Sequence, residues 1–160
     1  MSILFSSAEI VNMSIAIEKN GMAFYNAMAN MVEDDQSKEL YTYLAGEEVR
    51  HKILFQKMLD NLSQPELTVS EEEEYRNYLE ALTSSRVFKS DVNTEELIAE
   101  AKDHLGALNM AIEFEKDSIL FYYELIDQVI EGDRAGVEMV LKEEKAHLAQ
   151  LITLRAKLAV

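Results

Sequence analysis

Cysteine is absent from the 160 residues, which excludes disulfides, thiolate-held iron or zinc, and cysteine nucleophiles. Any metal in this protein is held by oxygen and nitrogen. One proline and five glycines leave little punctuation for strands and turns, so helix is the default conformation. Basic residues are also scarce, 15 against 30 acidic ones, for a formal net charge of -15. A chain this acidic repels nucleic acid and anionic lipid surfaces and attracts cations, so neither nucleic acid nor membrane is expected as a partner. It has no basic segment followed by an apolar stretch near Met1 and no uninterrupted apolar run long enough to span a bilayer, and the cytoplasm is the expected location.

What is present is apolar periodicity. With 48% hydrophobic residues, the chain is expected to form one domain that buries roughly 70% of its unfolded surface. A first helix is predicted over residues 7–32, opened by Ser6 and Ser7 and closed before Glu33, Asp34 and Asp35. Its seam is Ala8, Val11, Ile15, Glu18, Met22, Tyr25, Ala29 and Val32, in alternating steps of three and four. A second, over 36–62, carries Tyr41, Leu44, Glu48, His51, Phe55, Met58 and Leu62. Asn93 as N-cap with Glu96 three places on starts a long third helix over 93–130. Its seam runs through Ala101, Leu105, Leu108, Ile112, Glu115, Ile119, Tyr122, Ile126 and Val129. A turn at Glu131, Gly132 and Asp133 then leads into a fourth helix over 133–158, with Val137, Val140, Glu144, His147, Leu151, Leu154 and Leu158 on its seam. The connection over 63–92 holds Pro65 and a capping box from Ser70 to Glu73 that should start a short extra helix. A connection of that length can cross the whole bundle and leave helices two and three parallel.

One pattern occurs twice. Glu18 precedes Glu48-Val49-Arg50-His51 by 30 residues, and Glu115 precedes Glu144-Lys145-Ala146-His147 by 29. This is the arrangement of carboxylates and imidazoles that holds two metal ions inside a four-helix bundle. With 22 glutamates in the chain, chance alone places one three residues before a given histidine roughly one time in seven, so the spacing needs context. The seams supply it. Four carboxylates on core-facing stripes that carry no lysine or arginine would each cost several kcal/mol if buried ionised and unpaired. Two divalent ions balance four carboxylates while the histidines stay neutral, and mixed oxygen and nitrogen ligation suits iron, manganese or zinc. The alternative, an ordinary bundle with these six residues exposed or protonated, leaves their coincidence with four seams unexplained.

Residues three apart on a helix share a face, so Glu48 with His51, and Glu144 with His147, can reach one pocket. Each histidine is expected to end one metal, Glu18 and Glu115 to complete the two ends, and Glu48 and Glu144 to bridge. Tyr25 and Tyr122 each follow a seam glutamate by seven residues and are candidates for hydrogen bonds to the ligands or for plain core packing. Glu47 and Glu143 point roughly 100 degrees away around their helices, toward the surface or the back of the ligands. His104 lies off the seam and is expected at the surface.

On these residues the chain resembles the ferritin-like di-iron carboxylate superfamily, most closely its rubrerythrin branch, across all four long helices. The resemblance implies two irons on Glu18, Glu48, His51, Glu115, Glu144 and His147, cycling between diferrous and diferric states with hydrogen peroxide or oxygen. Three departures qualify it. Ser118 stands where rubrerythrins usually have an additional ligand glutamate. The four-cysteine rubredoxin domain is absent, so a separate electron-donor protein is implied. The chain ends with its fourth long helix, which makes bulk iron storage in a cage a weaker expectation. The expected function is an oxidoreductase that reduces peroxide or oxygen, the second choice a non-catalytic, ferroxidase-type metal-handling protein, and the third an oxygenase of organic substrates. An exposed bundle face would suit a homodimer.

Overall fold

The computed structural model describes residues 7–62, 73–84 and 92–160, and all regular structure among them is helical. The elements in chain order are α1 (Ser7–Met31), α2 (Asp35–Asp60), α3 (Glu73–Thr83), α4 (Thr94–Ala101), α5 (His104–Ile126) and α6 (Glu131–Leu158). Several boundaries have a local cause. Asp34 caps α2 by accepting from Ser37 N at 2.8 Å. Asn93 caps α4 as its sequence predicts, accepting from the amides of Glu95 and Glu96. The expected cap of the short helix, Ser70, lies outside the described residues.

Two apolar clusters fix how the helices run. The first joins the start of α1 (Ile10 to Ile17), the end of α2 (Phe55, Met58), the end of α5 (Phe121 to Leu125) and the start of α6 (Val137 to Leu141). The second joins the end of α1 (Phe24 to Val32), the start of α2 (Tyr41 to Ala45), α4 and the start of α5 (Leu97 to Ile112), and the end of α6 (Leu151, Leu154). It follows that α1 and α2 are antiparallel, α5 and α6 are antiparallel, and α2 and α5 are parallel. The chain therefore leaves α2 at one end of the bundle and enters α4 at the other, so the intervening connection crosses its length. This is an all-α four-helix bundle with one long crossover containing a short extra helix, α3, which packs on α5.

The long third helix expected over 93–130 is interrupted. Lys102 takes φ +69°, a left-handed conformation disfavoured for a side chain, and separates α4 from α5. Asp103 then caps the new helix, accepting from Gly106 N at 2.8 Å. A Cβ on Gly106 would stand 2.0 Å from the Ala101 carbonyl oxygen, so only glycine lets the two helix ends approach this closely. The break puts Leu105, placed on the core seam by its sequence, in the first turn of α5, where it is 43% exposed, while the seam residues on either side, Ala101 and Leu108, are buried. A second difference is at the last turn. Glu131, Gly132 and Asp133 belong to the first turn of α6, where the acidic side chains favour the helix N-terminus, and residues 127–130 make the reversal. Leu158, the final seam residue, is exposed at the end of α6.

Candidate metal centre

Between the two apolar clusters the interior becomes polar. Glu18 on α1, Glu48 and His51 on α2, Glu115 on α5, and Glu144 and His147 on α6 are all buried, none more than 4% exposed. Among the described residues no lysine or arginine is buried with them. The structure brings all six together. One donor atom from each of Glu18, Glu48, His51 and Glu144 lies within 4.8 Å of the others, and the same is true of Glu48, Glu115, Glu144 and His147. Glu48 and Glu144 belong to both groups. The two imidazole rings lie nearly parallel, with centroids 5.8 Å apart.

Several donors point into this space without a partner. His51 Nδ1 and Glu18 Oε2 are buried, lack hydrogen bonds, and lie 3.6 Å apart. His51 Nδ1 also faces Glu144 Oε1 at 3.2 Å and Glu48 Oε2 at 3.6 Å. Leaving such atoms unsatisfied costs about 1–3 kcal/mol each, and more when charged, so the arrangement suits cations that would complete their coordination. Oxygen and imidazole donors in two overlapping groups of four suit a pair of divalent ions.

The electrostatics carry the same strain. Burial, then the neighbouring Glu144 and Glu18 charges, push the Glu48 carboxyl well above its ordinary range. Burial and Glu144 do the same to Glu115. Burial also acts upward on Glu144, but the His147 hydrogen bond and the nearby His51 ring outweigh it and hold that carboxyl low. For His51 burial favours the neutral ring, yet the surrounding carboxylates of Glu144, Glu18 and Glu48 win and raise its pKa. These opposed shifts are what carboxylates crowded together without their counter-ions should show.

The tyrosines expected near the ligands are there. Tyr25 donates its hydroxyl proton to Glu115 Oε1, and Tyr122 donates to Glu18 Oε1, each crossing between α1 and α5. Burial and the adjacent carboxylates push both phenols well above their usual range, so both stay protonated donors. Ser118 is buried, but its hydroxyl donates to the Phe114 carbonyl at 2.9 Å, a bond within its own helix.

Gly21 is not apparent in the sequence as a contributor, whereas Glu47 and Glu143 are expected at the surface or the back of the ligands. A Cβ at Gly21 would sit 3.3 Å from Glu48 Cγ and Cδ, so this glycine makes room for the Glu48 side chain. A cavity of about 20 Å³ lies beside it, lined by Ile17, Phe24, Glu48, Glu115 and Ser118 among others. Glu143 reaches behind the site to meet His51 Nε2 at 2.8 Å, and Arg50 joins Glu143 to Glu47. The signal for these contacts was the doubled glutamate at 47–48 and 143–144. His104, expected at the surface, is half-buried and meets the Tyr41 hydroxyl at 2.5 Å, beyond the stacked Tyr25 and Tyr41 rings.

A bundle of four long helices with one crossover and a central cluster of four glutamates and two histidines defines the ferritin-like diiron-carboxylate class. The comparisons place the chain more narrowly. Residues 9–155 match the rubrerythrin family profile, and the chain belongs to that family. A crystal structure of a ferritin-like diiron-carboxylate protein from Thermotoga maritima superposes with a TM-score of 0.70 at 23% identity, over 98% of each chain. No curated protein matches. Among the described residues, no helix is long and apolar enough to cross a membrane.

Proposed function

We propose that Glu18, Glu48, His51, Glu115, Glu144 and His147 hold two iron ions, and that the protein is an oxidoreductase reducing hydrogen peroxide or oxygen with electrons from a separate protein. The observation that carries the reading is the pair of buried four-donor groups sharing Glu48 and Glu144. His51 and Glu18 would hold an ion at one end and His147 and Glu115 one at the other, with Glu48 and Glu144, which belong to both groups, available to either. Two ferrous ions bound there would supply the two electrons that, with two protons, convert one peroxide to two waters.

The chain's own residues do the rest. The apolar clusters on either side exclude bulk water, which strengthens every electrostatic interaction between them. Tyr25 and Tyr122 hold protons against Glu115 and Glu18, orienting those carboxylates across the bundle. The cavity of about 20 Å³ beside Glu48 and Glu115 favours a substrate of two heavy atoms over an organic molecule, because a cavity needs about 10–15 Å³ for one water alone. That disfavours an oxygenase of organic substrates.

The test is anaerobic loading with ferrous iron, a count of iron per chain, and stopped-flow mixing with peroxide and separately with oxygen. Two irons per chain oxidised rapidly are expected. Two irons oxidised slowly by both oxidants would instead favour metal handling, and a protein that binds no iron would overturn the iron reading.

A further inference from the structure

The two halves of the chain correspond residue by residue: Glu18 with Glu115, Glu47 and Glu48 with Glu143 and Glu144, His51 with His147. Their surroundings do not. His51 Nε2 points away from the four-donor group and meets Glu143 Oε2 at 2.8 Å, across the junction of α2 and α6. Arg50 holds that glutamate in place, with one guanidinium nitrogen 3.2 Å from Glu143 Oε1 and another bonded to Glu47. Glu47, His51 and Glu143 thus converge within 4.8 Å of one another, so both accessory carboxylates gather at the same histidine.

At the other end the counterpart of Arg50 is Ala146, which cannot clamp anything. His147 Nε2 is buried and has no hydrogen-bond partner among the described residues. The Tyr43 ring stands edge-on to that of His147, 6.3 Å between centroids. His147 Nδ1 lies 3.0 Å from Glu144 Oε2, so Nδ1 is the nitrogen that faces the site.

The consequence is chemical. When an ion takes Nδ1, the remaining proton of a neutral imidazole must be on Nε2. At His51 a carboxylate is already placed to receive that proton, which fixes the tautomer and makes the ring a better donor. At His147 that proton would sit on a buried nitrogen with no acceptor among the described residues.

Resting on the reading of this site as a two-metal centre, we infer that Glu143 and Arg50 are positioning residues that make its ends unequal, so that the ion on His51 binds first and more tightly than the ion on His147.

The experiment is titration of the metal-free protein with Co2+, followed by visible absorption and calorimetry, for the wild type, Glu143→Gln and His147→Ala. In the wild type two steps are expected, separated by about tenfold or more, the scale on which partners of ligand histidines alter metal affinity. His147→Ala should lose the weak step and keep the tight one. Glu143→Gln should weaken the tight step by roughly 10–100-fold and bring the two together, with the circular dichroism of the metal-free protein unchanged. Binding of two ions in a single transition would overturn the inference, as would a separation that survives Glu143→Gln or a tight step lost in His147→Ala. A protein that binds no cobalt at all would overturn the two-metal reading and the inference with it.

Discussion

Removing metal should destabilise this protein, and the loss should grow as pH rises from 5 to 8. The sign comes from the groups facing the centre from every helix packed around it: Glu18 and Tyr25 on α1, Glu48 and His51 on α2, Glu115 and Tyr122 on α5, Glu144 and His147 on α6. Glu48 and Glu115 have raised folded-state pKa values. Their contribution to the stability of the metal-free protein is therefore fully present below about 4.3, the ordinary glutamate value, and is lost as pH climbs through the folded values. His51 is raised too, so its contribution is present below about 6.5 and is likewise lost on the alkaline side. Glu144 alone runs the other way, contributing above the ordinary glutamate value and losing its contribution in acid. The net direction between pH 5 and 8 is a decline of the metal-free form.

Metal binding follows the opposite course, because carboxylates and imidazoles must give up protons to become ligands. Two sites, each with free ion at about 100 times its dissociation constant, would add about 5 kcal/mol together. For a chain of 160 residues that corresponds to a melting temperature roughly 10–20 °C higher. Differential scanning calorimetry of matched loaded and chelator-treated samples at pH 5, 6, 7 and 8 measures the gap directly. A gap that stays constant or narrows toward pH 8, or a metal-free protein as stable as the loaded one at pH 7, would refute the reasoning.

Three further outcomes follow from particular contacts. Glu48→Ala and His51→Ala each remove a donor from a four-atom group, and elemental analysis should find fewer than two metals per chain in both; full loading in both would remove these residues from the ligand set. Tyr25→Phe and Tyr122→Phe each strip a hydroxyl from a buried glutamate, which should cost about 1–3 kcal/mol of metal-free stability by urea unfolding and weaken metal binding roughly 10–100-fold; unchanged metal affinity would make them packing residues only. Gly106→Ala places a Cβ against the Ala101 carbonyl and should destabilise the fold by about 1–3 kcal/mol while leaving metal stoichiometry at the wild-type value; a neutral result would mean that the Lys102 break relaxes at no cost.

How much of this was legible in the sequence depended on whether a feature repeats along one helix or arises between two. The seams were legible because burial of one face imposes a period, and Glu18, Glu48, His51, Glu115, Glu144 and His147 stood out as polar residues on those stripes. The structure puts all six in the interior. The break at Lys102 was not legible, since Asp103 reads like any exposed acid on a helix, and the need for Gly106 appears only once Ala101 is beside it. Leu105 was misplaced for the same reason, because a periodic reading cannot see that the break turns this residue of the first turn of α5 outward, although the seam holds from Leu108 on. Gly21 escaped notice because its significance is the Glu48 side chain lying against it from another helix.

Glu143 is the most instructive case. Its position on α6 says only that it faces away from Glu144, and the two halves of the chain present the same doubled glutamate. What distinguishes them is Arg50, whose counterpart is Ala146, and its effect appears only where α2 meets α6. A near-symmetric sequence thus produces a site in which His51 Nε2 meets a carboxylate while His147 Nε2 meets no partner among the described residues, and the arginine that contacts that carboxylate stands outside the seam.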